Sequence, residues 1–176
     1  MNKEDWRDVL GDELAVNLEI PAAFCDRSAT TGDAAAHLLD AIAVLEDGAQ
    51  GQKPEDPPAD IQRLELKIDL LTDLVSSLLT DRVPTPVNLW ISREGLVCPA
   101  ALMEPGCGSL QLYPSQWLAQ PLVLELDELR VRGDACGGLW RSPDSALRDA
   151  LGRWVFRMHR REVARRRMNS GVARAD

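Results

Sequence analysis

The chain has 176 residues, 45% of them hydrophobic and 27% charged, with a formal net charge of −8. That length suits one globular domain with an appendage, or two small lobes. No apolar run approaches the roughly 20 residues that cross a bilayer, so no membrane span is expected. Residues 1–6 are charged and lack an apolar stretch, so no signal peptide is expected either. Four cysteines without a CxxC pair do not make a secreted disulfide framework. The default expectation is a soluble protein of the reducing cytoplasm.

The net charge conceals a polarity. Residues 1–81 carry 18 acids and 6 bases, a net of −12. Residues 153–174 carry eight arginines and one acid, Glu162, a net of +7. The acidic half repels nucleic acid and only the basic end would attract it, so nucleic acid is not the expected partner.

Residues 14–20 alternate apolar and polar side chains and then meet Pro21, which predicts a short strand ended by the proline. Residues 33–46 predict a helix capped by Asp33, with Leu38, Leu39, Ile42 and Leu45 along one side. Residues 47–60 are rich in Gly, Pro and acids and read as a flexible connector. A second helix starts after Asp60. Its apolar residues Ile61, Leu64, Ile68, Leu71, Val75 and Leu78 are spaced 3, 4, 3, 4, 3, an a/d heptad seam. Ile and Val at a with Leu at d lean toward two parallel strands. Leu66, Leu70, Leu74 and Leu79 lie off that seam and widen the apolar face. The residues alone leave two readings: a self-associating helix, or an amphipathic helix lying on its own domain.

Beyond Pro84 and Pro86 the chain turns β-like. Residues 83–91, 95–98, 109–113, 122–132 and 137–141 predict short strands with turn residues between them, hence an antiparallel barrel or sandwich. Gly95 is expected to turn the first pair through a positive φ. A last helix is predicted from Ser142 as cap and Pro143 as first residue. Its apolar face is Leu147, Ala150, Leu151, Trp154, Val155 and Met158, and its arginines gather toward the end. Residues 168–176 read as a frayed tail.

Catalytic signals are sparse. His37 and His159 are the only histidines, and no spacing suits a metal or a nucleophile, so neither an enzyme nor a metal site is expected. Cys98 and Cys107 would make a redox pair only if brought together; two small buried hydrophobes are the plainer reading.

The stretch from Val87 through Trp90, Ser92 and Gly95 to Val97 resembles the second signature of PilZ domains, (D/N)-x-S-x-x-G, in its strand-to-turn setting. The following strands and closing helix resemble the rest of that barrel. The resemblance covers roughly residues 83–167. It implies an α+β fold: a small antiparallel PilZ-like β-barrel closed by a C-terminal helix, preceded by two helices, the second forming an oligomeric bundle. The implied division is 1–82 for a strand candidate and the oligomerisation region, 83–167 for the barrel and 168–176 for the tail.

PilZ domains are generally cyclic di-GMP receptors. In the family an RxxxR pair in an N-terminal loop holds phosphates and guanine faces, and the second motif meets a guanine edge. Here Trp90 stands at the Asp/Asn position, and an indole donates but cannot accept. Ser92 and Gly95 match. No RxxxR precedes the motif: Arg63 and Arg82 are 19 apart, and Arg63 lies within the heptad helix. RxxxR spacings at Arg153, Arg157, Arg161 and Arg165 fall on the closing helix. The chain thus resembles an atypical PilZ branch, known from xanthomonads, that replaces the arginine loop with heptad helices and forms tetramers. On that resemblance a tetramer is favoured over a dimer. Cyclic di-GMP is not expected to bind tightly, and the expected role is a bacterial adaptor meeting a protein of the pilus or signalling machinery, in motility or virulence. The alternative is a cyclic di-GMP receptor with a rewired site.

Overall fold

The computed structural model describes residues 7–48, 58–79, 83–104, 106–115 and 117–172. Six strands form a closed antiparallel barrel in the order β1-β2-β3-β6-β5-β4. They are β1 (Ala15–Cys25), β2 (Pro86–Ser92), β3 (Gly95–Pro99), β4 (Ser109–Leu112), β5 (Leu122–Arg132) and β6 (Ala135–Trp140). Four helices join them: α1 (Arg7–Leu10), α2 (Gly32–Gly48), α3 (Ala59–Leu79) and α4 (Ser145–Val172). The α+β class and the helix-closed barrel are as the sequence implied.

The N-terminal strand is longer than its alternation suggested, and it completes the barrel. Its first part, residues 15–21, pairs with β2, and residues 22–25 pair with β4. Pro21 does not end the strand. It sits opposite Pro86 at the point where β1 passes from one neighbour to the other. Neither proline has an N–H to donate, so no ladder donor is lost at this corner. The Pro21 carbonyl is still used, accepting from the Tyr113 N–H at 3.0 Å. Residues 15–25 thus belong to the barrel wall together with the strands after residue 83, which answers the question that the sequence left open for the N-terminal strand.

Inward-facing side chains fill the barrel. Val16, Leu89, Ile91, Leu96, Leu110, Leu112 and Leu122 are essentially inaccessible. α4 adds Leu147, Ala150, Leu151, Trp154 and Val155 to the same core, with Met158 at its margin. α2 packs beside α4 through Leu38, Leu39 and Ile42. Leu45, expected on that face, is exposed. β5 carries a bulge between Asp127 and Arg130, with Glu128 at φ 46°. Such an insertion sharpens the bend that closure requires.

The arginines of α4 meet the acids of α2. Arg153 grips Asp40 with Nη2–Oδ2 at 2.8 Å, and Arg161 reaches Glu46 at 2.6 Å. The Arg153–Asp40 pair is exposed and contributes modestly, whereas Arg161–Glu46 is half-buried. They nevertheless turn the charge polarity of the sequence into an internal contact.

The cap of α4 differs from the expected one. Ser142 has φ 42° and belongs to the turn before the helix. Asp144 caps instead, its Oδ1 accepting from the Leu147 N–H at 2.7 Å. Gly32, at the start of α2, lies against the same carboxyl group, which a Cβ there would overlap. α4 runs to Val172, beyond the expected end at 167, helped by the Glu162–Arg166 pair one turn apart. Residues 49–57 of the expected connector, Arg82, Pro105 and residues 173–176, Arg174 included, lie outside the described residues.

Chemical denaturation checks this assignment of the cap. Asp144→Ala should lose about 1 kcal/mol of stability. Ser142→Gly, which relieves a positive φ, should be neutral or gain up to about 1 kcal/mol.

Candidate functional site

The turn joining β2 to β3 brings Ser92 and Gly95 together and gives both a structural task. Ser92 is fully buried. Its Oγ accepts from the Glu94 N–H at 3.2 Å and the Gly95 N–H at 3.1 Å, and donates to the Gly95 carbonyl at 3.2 Å. The Trp140 indole donates to the Ser92 carbonyl at 3.3 Å. Gly95 has no positive φ, contrary to expectation. It is needed for close approach, because a Cβ there would run into the Gly138 carbonyl on β6. Arg93 and Glu94, at the tip, pair with Glu13 at 3.0 Å and Arg148 at 3.5 Å.

Trp90 lies on the outer barrel face, opposite Asn17 on β1 and Val97 on β3. That face is not open. Val9 and Leu10 of α1 lie over it and form a second small core with Ala15, Val97 and Ala135, against which Trp90 packs. Val97 points out of the barrel yet is 0% exposed. Sequence reading gave residues 7–10 no role; only their position over the sheet reveals one. The Trp90 Nε1–H is buried without an acceptor among the described residues. Where a guanine edge would need an acceptor and open space, this face offers an indole and a covering helix.

The arginines do not replace the missing pair. Arg63 is exposed on α3, and Arg153 and Arg161 contact the acids of α2. Arg161 and Arg165 line a cleft of about 560 Å³ with Asn17, Glu19 and Asn88, where Glu19 and Glu162 offset their charge.

Cys98 faces Cys136 rather than Cys107. The two are direct partners across β3 and β6, with their sulfurs 3.3 Å apart. The Cys98 thiol is pushed far up by its hydrogen bond to Cys136 and by burial. Cys107 lies elsewhere, near Glu104. The Cys98–Cys107 pair considered from the sequence is not formed.

The candidate assembly residues sit together on α3. Ile61, Leu64, Ile68, Leu71, Val75 and Leu78 are all exposed, and so are Leu66, Leu70 and Leu74. The Leu79 side chain lies outside the described residues. None of these described apolar residues is buried in the barrel core.

A family model described as "Atypical PilZ domain, cyclic di-GMP receptor" matches residues 39–168. The chain belongs to the atypical PilZ domain family. A solved structure of a pathogenic protein from Xanthomonas campestris, described as a tetrameric PilZ domain self-assembled via an unusual helical bundle, has a TM-score of 0.74 at 26% identity. The similarity covers 90% of this chain and 94% of that one. No match is found among curated proteins. In this PilZ barrel, the matching serine and glycine build the motif turn, and the divergent Trp90 supports the outer core. Among the described residues no helix is long and apolar enough to cross a membrane.

Ser92→Ala leaves the Gly95 N–H without its buried acceptor. It should cost about 1–3 kcal/mol in chemical denaturation, with or without nucleotide present.

Proposed function

We propose that this PilZ protein is a self-assembling adaptor, a tetramer by preference, that works through protein contacts. The single observation carrying this reading is α3. Nine large apolar side chains on one helix are 48–71% exposed in the lone chain. A helix in water draws most of its stability from a packed apolar face, and the described apolar residues of α3 stay exposed in their own chain. Its a/d seam supplies the pattern that copies of itself would cover. The helical bundle described for the Xanthomonas neighbour supports the same reading. Four barrels on one stalk would present four copies of a surface, raising the avidity of individually weak contacts. We place the assembly in the bacterial cytoplasm, with a partner in pilus or signalling machinery and a role in motility or virulence.

Loss of cyclic di-GMP binding through the usual motif belongs to this proposal. Trp90 supplies no acceptor, α1 covers the face, and Ser92 is committed to the turn. The family description favours a second reading, a receptor with a rewired site.

Replacing Ile68 and Leu71 together with Asp should give monomers by light scattering, with the barrel still folded. A wild-type chain that already runs as a monomer contradicts the stalk. Calorimetric titration with cyclic di-GMP should give no heat of binding up to high micromolar concentration; saturable binding at low micromolar favours the receptor.

A further inference from the structure

α3 carries a second apolar stripe that its seam does not explain. Leu66, Leu70 and Leu74 recur every four residues, about 130° round the helix from the middle of the a/d seam at 100° per residue. All three are exposed. A bundle built on the seam alone would leave much of this stripe in water.

The barrel supplies a matching surface. Beside α3 runs a groove of about 530 Å³. Its floor is Leu71, Thr72 and Val75 of the seam side, and its wall is segment 118–121 before β5. The lining is apolar except for Thr72 and Gln120. The Thr72 hydroxyl is already engaged, lying 2.9 Å from the Ile68 carbonyl of its own helix. The groove thus asks for an apolar occupant rather than a polar ligand.

Because seam residues form the floor, a second copy's α3 seated on the seam must lie along the wall. The heptad register identifies which flank it turns to that wall. Thr72 is an e position and Leu74 a g position, and in parallel bundles e flanks face g flanks of the next helix. We infer that segment 118–121 of one copy packs against Leu70 and Leu74 of the neighbouring copy's α3. This rests on the self-assembly reading and deepens it: barrel and stalk make one continuous interface, so the barrels are fixed in orientation around the bundle.

Cross-linking of the full-length chain tests the contact. In a background with Cys25 and Cys107 changed to Ser, chains carrying Gln120→Cys are mixed with chains carrying Leu74→Cys, allowed to exchange and oxidised with diamide. A covalent dimer joining the two kinds of chain is expected, and at least tenfold less when Asp69→Cys replaces Leu74→Cys. Equal yields from Leu74→Cys and Asp69→Cys overturn the inference. In a second experiment, Leu70→Gln with Leu74→Gln leaves the seam and the barrel intact. The concentration at which the assembly half-dissociates should rise at least tenfold; an unchanged value, with wild type assembled, overturns the barrel–stalk contact and leaves the stalk standing. A monomeric wild type overturns both.

Discussion

Closure of the barrel depends on one strand pairing with two neighbours. β1 gives residues 15–21 to β2 and 22–25 to β4, and without that bridge β2 and β4 would be bare edges. The exchange occurs at Pro21, opposite Pro86, where two residues without N–H groups meet. The placement of the rest follows. With β1 in the wall, the segment before it emerges beside the β2–β3 turn, where α1 covers the outer face. The segment after it returns as α2 against α4, clamped by Asp40–Arg153 and Glu46–Arg161. Among the described residues α3, inserted between the first and second strands, adds no side chain to this core.

That arrangement changes the meaning of the PilZ motif. In a short turn, a serine that satisfies two backbone N–H groups and a glycine that lets two strands touch are valuable whatever the turn binds. Ser92 and Gly95 perform those duties here. The position that departs from the motif is Trp90. Position 90 carries a large apolar ring, and α1 has a surface to bury against. Substitution and covering helix support each other: Trp90 without α1 would expose an indole beside Val97 and Ala135, and α1 without Trp90 would lose part of its support.

Much of the fold was legible in local pattern. The five later strands, the heptad helix and the apolar face of α4 follow from periodicity and turn residues, because each is decided by neighbours in sequence. What was missed depends on contacts between distant segments. Pro21 looked like a strand end because proline in a strand is tolerated only where no partner needs its N–H, and that is a property of the register with β2 and β4. Ser142 looked like the better cap because cap preference does not reveal which residue has the required backbone; its φ of 42° gave the task to Asp144. The neighbour of Cys98 could not be read locally either: the ladder sets it against Cys136, 38 residues away, and not against Cys107. At the motif, identity was readable and occlusion was not. Val9 and Leu10 carry no periodic signal, and their role exists only once β1 brings them over the sheet.

The remaining element, α3, follows a different energetic logic from the barrel. Barrel side chains are buried by their own chain, so their contribution does not depend on concentration. The described apolar residues of α3 are exposed in the lone chain, so in the proposed assembly another copy covers them, and what they contribute scales with how much of the chain is assembled. Ordering 21 residues costs about 1–2 kcal/mol of backbone entropy apiece, which helical hydrogen bonds in water offset poorly. On the proposed assembly, helix formation and association in the stalk are therefore coupled. The proposal thus makes the barrel a fixed module and the stalk a conditional one, with a multivalent surface present only when the stalk has formed.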